Sequence, residues 1–215
     1  MVYWRELQAR IKEHFRFSRQ EFYGLTAAII ITAFIFSFRD WGEGQFSLGT
    51  GIIHLFLVLI VAATSFFSRV ACQKVYALGG GYQAEFKVWW TGLIIALVVI
   101  FISAGRIPLA LIGGISAAFM VRQRLGEFRY GFSYMENGII ALWGVLGNLI
   151  MAGIFALGAY ALPQSYFFSQ GVMLNIIMAV CALLPLPQLD GLNIFFGSRI
   201  MYVISVFAVL LTAVL

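Results

Sequence analysis

The stretch SFFSRVACQKVYALGGGYQAEFKVW, residues 65–89, closes a long apolar segment and turns into a basic, glycine-rich one. About 20 mostly apolar residues are enough to cross a bilayer as a helix, and residues 48–67 provide them. We therefore interpret residues 65–89 as the cytoplasmic end of a membrane helix.

The composition of the whole chain predicts an integral membrane protein. It is 62% hydrophobic and 11% charged, whereas soluble domains carry about 25% charged residues. We expect an all-α, polytopic transmembrane bundle of about six helices in a single unit over residues 24–215, preceded by an amphipathic cytoplasmic or interfacial segment over residues 1–23. The six segments are placed near 24–38, 48–67, 89–105, 138–161, 168–187 and 196–215.

The distribution of basic residues predicts a cytoplasmic N-terminus. Residues 1–23, 68–88 and 122–136 carry five, three and three of the fourteen Lys and Arg residues. Cytoplasmic loops are enriched in these residues. We attribute the net charge of +5 to cytoplasmic loops that contact anionic lipid headgroups. The expected partner of these loops is therefore the lipid bilayer and not nucleic acid.

Two segments do not fit an ordinary helical crossing. Residues 107–121 are too short, yet the charge pattern requires the chain to return to the cytoplasm by Arg122. We expect a short re-entrant or broken segment, which is tolerated at membrane depth only when other protein shields it. Residues 122–138 are expected to form a small cytoplasmic hairpin.

A carboxylate at the end of an apolar helix carries the strongest functional signal. Asp190 lies in LLPLPQLDG, residues 183–191, and an ionisable residue at such a place marks function by default. Taken with NIIMAVCALLPLPQLDG (175–191), GYQAEFKVW (81–89) and NGIIALWGVLGN (137–148), this region resembles the site-2 protease family of intramembrane zinc metalloproteases. The positions that match the family's scaffold are Gly81, Tyr82, Glu85, Gly144, Asn148, Asn175, Pro185 and Gly191.

The resemblance implies a zinc site of which Asp190 would be the third ligand. The other two would be the histidines of an H-E-x-x-H motif on a preceding helix, with the glutamate as general base. Aligning the segment after the helix puts Ala63, Thr64 and Phe67 at the His, Glu and His positions, and we expect Phe67 to fill the ligand space.

No alignment can create the missing motif. The chain has two histidines, His14 and His54, which are 40 positions apart. We therefore expect no catalytic residue, no bound metal and no cofactor. His54 is interpreted as a structural residue that bonds to a neighbouring helix, with a proton relay or a ligand as the alternative.

Without a metal, Asp190 should protonate or find a charged partner, because an isolated carboxylate is strongly disfavoured in apolar surroundings. Arg69 is the preferred partner, and Arg199 is the other candidate.

The sequence thus predicts a non-catalytic pseudoprotease of a prokaryotic cell membrane that binds transmembrane helices or other integral membrane proteins. A structural or accessory subunit of a larger membrane complex is the main alternative. A transporter or channel is less favoured because few ionisable residues lie in the membrane segments. A residual metalloprotease with a different metal site is less favoured because it would require Asp190, His54 and a cysteine to converge, which their spacing argues against.

Overall fold

The computed structural model of the protein describes residues 4–42, 46–119 and 133–214. These residues form eight α-helices, one short 3₁₀-helix at Phe38–Trp41 and two β-strands. The helices are α1 (Trp4–His14), α2 (Arg19–Phe36), α3 (Leu48–Gly79), α4 (Trp90–Ile102), α5 (Tyr134–Ala161), α6 (Tyr166–Ala182), α7 (Asp190–Gly197) and α8 (Arg199–Val214), and the strands are β1 (Tyr82–Val88) and β2 (Gly113–Phe119).

The predicted helical fold is confirmed, but the all-α description is wrong because β1 and β2 pair as an antiparallel sheet. In β1, alternate residues from Tyr82 to Phe86 are buried and those between them are exposed. Such alternation is typical of a strand with one face against a core. Strand β1 packs against α2 and α3, and β2 contacts α5 and α7.

The segment 107–121, for which we expect a short re-entrant or broken crossing, forms no helix over its described residues 107–119. Its described part is irregular up to residue 112 and then forms β2, which pairs from Gly113 opposite Val88 to Phe119 opposite Tyr82. Pairing with β1 satisfies the backbone groups of β2 that face this neighbouring strand. Most of the predicted hairpin at 122–138 lies outside the described residues, and residues 134–138 belong to α5.

By length and composition, two of the described helices could cross a membrane, namely α3 and α5. Three further helices, α4, α6 and α8, are apolar but have 13, 17 and 16 residues. All six predicted segments coincide with helices, while six complete crossings remain a prediction.

Helix α3 is longer than predicted and carries charges inside the protein. It continues past residue 67 to Gly79, so Arg69 and Lys74 belong to a helix and not to a loop. Both side chains are buried in ion pairs, Arg69 with Asp190 and Lys74 with Glu21. Two of the three cations assigned to the 68–88 loop are therefore not available for the loop-charge argument on orientation.

The pair formed by Lys74 and Glu21 joins three elements. Glu21 first closes a capping box with Ser18 at the start of α2. Its carboxylate also accepts hydrogen bonds from Lys74 Nζ at 2.8 Å and from the backbone N–H of Phe86 in β1 at 2.9 Å. The Lys74 ammonium donates a further bond to the carbonyl of Arg16. Each charge thus has several partners, as a buried ion pair requires.

Glycines on α5 bring this helix close to α3. A Cβ added at Gly144 would lie 2.3 Å from Gln73 Nε2, and one at Gly147 would lie 3.1 Å from the Cα of Arg69. Small residues permit this kind of close helix packing. They set the part of α3 that carries Arg69 and Gln73 directly against α5.

Candidate functional site

Asp190 lies at the centre of the candidate site, as the first residue of α7. It follows the turn of residues 183–189 and has no exposed surface. Gly191 is required next to it because a Cβ there would come within 2.3 Å of the Leu183 carbonyl oxygen. Because the chain packs closely against the end of α6 at Gly191, the Asp190 side chain points into the protein interior.

Two side chains of α3 reach the carboxylate of Asp190. Arg69 Nη2 donates to Oδ2 at 2.5 Å, and Gln73 Nε2 donates to the same oxygen at 2.8 Å. All three side chains are fully buried. Residues four apart lie on one face of a helix, so one face of α3 supplies both donors.

The other oxygen of Asp190 contacts the sheet. Oδ1 accepts a hydrogen bond from the backbone N–H of Ile115 in β2 at 2.9 Å. A Cβ at Gly114 would lie 2.9 Å from this oxygen. Asp190 therefore connects α3, β2 and α7, and its charge is balanced by the guanidinium of Arg69. The alternative partner, Arg199, is exposed and lies over the ring of Phe195.

The positions aligned with the H-E-x-x-H motif do not lie beside Asp190. Phe67 is 59% exposed and packs near Phe17, so it does not fill a space beside Asp190. Ala63 and Thr64 also lie in a surface groove with Phe67. At 100° per residue, positions 63, 64 and 67 point well away from the face of position 69.

The residues of α3 that face Asp190 define another register, Arg69-Val70-Ala71-Cys72-Gln73. An H-E-x-x-H motif placed in this register would have its two ligands at Arg69 and Gln73 and its base at Val70. The signal that could have revealed it is the pair of polar residues, one turn apart, in an otherwise apolar helix.

This donor set does not fit a zinc ion. Zinc in proteins is bound by thiolate, imidazole and carboxylate groups, whereas a guanidinium such as that of Arg69 carries only N–H donors and has no acceptor atom. Asp190 already accepts three hydrogen bonds from Arg69, Gln73 and Ile115. Within residues 4–42, 46–119 and 133–214, no group of three or more His, Cys, Asp or Glu side chains is arranged to hold a metal.

The residues that match the family's scaffold lie in several elements around Asp190. Gly81 has a φ of 80° in the turn between α3 and β1, Tyr82 begins β1, and Glu85 is an exposed residue of that strand. Pro185 is exposed in the turn that precedes Asp190. The hydrogen bonds described for the Asp190 carboxylate come instead from Arg69, Gln73 and Ile115.

Two scaffold asparagines are fully buried. Asn175 on α6 donates hydrogen bonds to Ser65 Oγ and to the Gly171 carbonyl, each at 2.8 Å. Asn148 on α5 lies one turn from Gly144, and its amide atoms have no hydrogen-bond partner among the described residues. Asn175 therefore links α3 to α6, while Asn148 adds an unpartnered polar group to the protein interior.

His54 belongs to a separate cluster at the start of α3. Its ring stacks on Tyr166, with 3.9 Å between the centroids, and its Nδ1 lies 3.6 Å from Asp40 Oδ2. The Tyr166 hydroxyl donates a hydrogen bond to the same carboxylate. His54 thus contacts a residue of the neighbouring helix α6, and it lies far along α3 from Arg69.

A polar cavity of about 360 Å³ opens beside the site. Its walls are residues 114–117 of β2, residues 187–189 before Asp190, and the side chains of Lys87, Asn137 and Asn193. The cavity reaches the same turn and strand that hold Asp190, although Asp190 itself is sealed beneath them.

Comparison with known proteins gives a relative with a metalloprotease name. The chain is 28% identical over 181 residues to a protein of Methanocaldococcus jannaschii named "Putative zinc metalloprotease", covering 82% of this chain and 84% of that protein. No family model matches the chain. No solved structure matches it either. The similarity to a metalloprotease and the long apolar helices are both consistent with the resemblance to the site-2 proteases and with a membrane location.

Proposed function

We propose that the protein is a non-catalytic membrane homologue of the site-2 proteases that uses the retained fold to bind transmembrane helices or other integral membrane proteins. The observation that carries this proposal is the contact of Arg69 and Gln73 with Asp190. A cation and an amide stand against the carboxylate where a metalloprotease would need two metal ligands.

The chemistry of these side chains argues against hydrolysis. A metalloprotease activates water through a metal and a nearby base. Val70 stands where that base would be, and an aliphatic side chain accepts no proton. The Arg69 guanidinium and the Asp190 carboxylate neutralise each other, so they form a structural connection and not a reactive one.

Binding of a partner protein is supported by the cavity that remains open beside the buried Asp190. The cavity beside Gln188 and β2 exposes polar backbone and side-chain groups near the turn that holds Asp190. Helices α3 and α5 are long and apolar enough to embed this region in a bilayer. A partner chain in the same membrane could therefore reach the cavity without any change at Asp190.

Metal content is the direct test of the non-catalytic part. Zinc per chain is measured by mass spectrometry in the purified protein and in Asp190→Ala, with gel filtration to establish that both are folded. We expect no zinc above background in either protein. Stoichiometric zinc in the unmodified protein, lost in the variant, would contradict the proposal.

Photo-crosslinking tests the binding part. A photoreactive residue is introduced either at Gln188, which is exposed at the cavity, or at Ile204, which is 63% exposed on α8. We expect crosslinks to membrane polypeptides from position 188 and few from position 204. The reverse pattern would instead favour an accessory subunit that packs through its outer helices.

A further inference from the structure

We infer that the surface between α2 and α3 is a binding site for one anionic phospholipid of the surrounding bilayer, an inference that rests on the proposed membrane location but not on the loss of catalysis. The observation behind it is an apolar groove that continues into a smaller cavity with a cationic side chain. The two compartments match the chain and the headgroup of a lipid.

The apolar compartment is a groove of about 520 Å³. Phe22, Leu25 and Ile29 of α2 form one wall, and Ala63 and Phe67 of α3 belong to the other. Phe22 and Phe67 are 61% and 59% exposed. A groove with exposed aromatic side chains on both walls offers apolar surface to the acyl chain of a lipid.

The two hydroxyl groups that line the groove already donate hydrogen bonds to backbone carbonyls of their own helices. Thr26 Oγ1 donates to the Phe22 carbonyl, and Thr64 Oγ1 donates to the carbonyls of Ile60 and Val61. Hydroxyls bonded to their own helix need no polar ligand. The groove therefore favours a hydrocarbon occupant.

The polar compartment adjoins the groove at the start of α2. It is a cavity of about 270 Å³ lined by Phe17, Ser18, Arg19, Phe22 and Tyr23, and it shares Phe17 and Phe22 with the groove. Phe17 is fixed there by the ammonium of Lys74, 4.5 Å from its ring centroid.

The charge at this end fits a phosphate group. Arg19 and its neighbour Arg16 are exposed, and no lining residue of either compartment is acidic. The nearby Glu21 is buried and neutralised by Lys74. Basic residues at a membrane surface attract anionic lipids, and Arg16 and Arg19 are the basic side chains at this end of the groove.

Lipid retention by matched variants tests the site. The full protein in detergent is incubated with an equimolar mixture of phosphatidylglycerol and phosphatidylcholine, and retained lipid is measured by native mass spectrometry. The variants are Arg16→Glu with Arg19→Glu to reverse the charge, and Ala63→Phe to fill the groove. The charge-matched control is Arg5→Glu with Lys12→Glu, because both residues are exposed on α1.

We expect one retained phosphatidylglycerol in the unmodified protein and in the control, and a loss of about fivefold for each arginine reversed. The groove-filling variant should lose the lipid as well. Equal retention of both lipids, or equal retention by all variants, would overturn the inference.

A photoreactive residue at Thr64 distinguishes the occupants. A lipid adduct is expected from this position. A polypeptide adduct in its place would show that the groove accepts a partner helix, and would overturn the assignment to lipid while leaving the proposed function standing.

Discussion

Arg69 and Asp190 are 121 positions apart in the sequence, yet their side chains meet with 2.5 Å between Nη2 and Oδ2 and neither has exposed surface. A buried ion pair is a weak source of stability compared with apolar packing, because both charges lose their hydration. Removing one partner is costly, since the other charge is then left buried alone. The pair therefore constrains which substitutions the site tolerates.

Breaking this pair should destabilise the protein strongly. We expect Arg69→Met to lower the free energy of unfolding by about 3–5 kcal/mol, because Asp190 loses its counter-charge. Thermal unfolding in detergent should show a fall in Tm of about 10 °C. Arg199→Met is the control, since this exposed arginine is not bonded to Asp190. Arg69→Met combined with Asp190→Leu should recover most of the loss, and a double variant as unstable as the single one would contradict the argument.

Restoring metal ligands should reveal the register of α3. The triple variant Arg69→His, Val70→Glu, Gln73→His would place two imidazoles and a carboxylate on the face that contacts Asp190. We expect it to bind about one zinc ion per chain in equilibrium dialysis. The control introduces the same three residue types at Ala63, Thr64 and Phe67, and should bind none. Zinc binding by the control alone would show that our register is wrong.

The close approach of α3 and α5 should be sensitive to a single methyl group. Gly144→Ala would place Cβ 2.3 Å from Gln73 Nε2, and we expect a loss of about 1–3 kcal/mol in unfolding free energy from overpacking. Gly153→Ala on the same helix is the control, since a Cβ there meets nothing within 4 Å in the described part of the chain. It should be neutral or slightly stabilising. Equal effects at both positions would contradict a tight contact.

The His54 cluster offers a milder test. Tyr166→Phe keeps the ring that stacks on His54 and removes the hydroxyl that donates to Asp40. We expect a loss of about 1 kcal/mol, near the usual net value of a hydrogen bond. Tyr160→Phe is the control, because Tyr160 is 89% exposed. Chemical denaturation of the two variants should separate them, and no difference would mean that the hydroxyl contributes nothing.

The positions of the long helices could be predicted from the sequence because their apolar runs are long. The end of α3 could not, since Arg69 and Lys74 were interpreted as loop cations. Both are in fact neutralised by distant carboxylates, Asp190 and Glu21. Ion pairs between residues that are distant in the sequence cannot be recognised by counting the charges within one segment.

The sheet was only partly predictable. The alternation of apolar and polar residues from Tyr82 to Val88 is a strand signal that was passed over. Its partner GGISAAF, residues 113–119, has two glycines and no clear alternation, and its burial does not alternate either. The residues of α3 that contact Asp190 could not be predicted fully for a related reason: without histidines in this helix segment, only the contacts of Asp190 distinguish position 69 from position 63.

The length of chain between Arg69 and Asp190 also bears on biosynthesis. Glu21, the partner of Lys74, precedes α3 in the chain, whereas Asp190, the partner of Arg69, follows Arg69 by 121 residues and is synthesised later. An arginine placed at the centre of an inserting helix costs about 3 kcal/mol. Arg69 lies ten residues from the end of α3 at Gly79. Before Asp190 has been synthesised, the long side chain of Arg69 can extend towards the membrane interface. The ion pair between Arg69 and Asp190 can therefore form only after α7 has been synthesised.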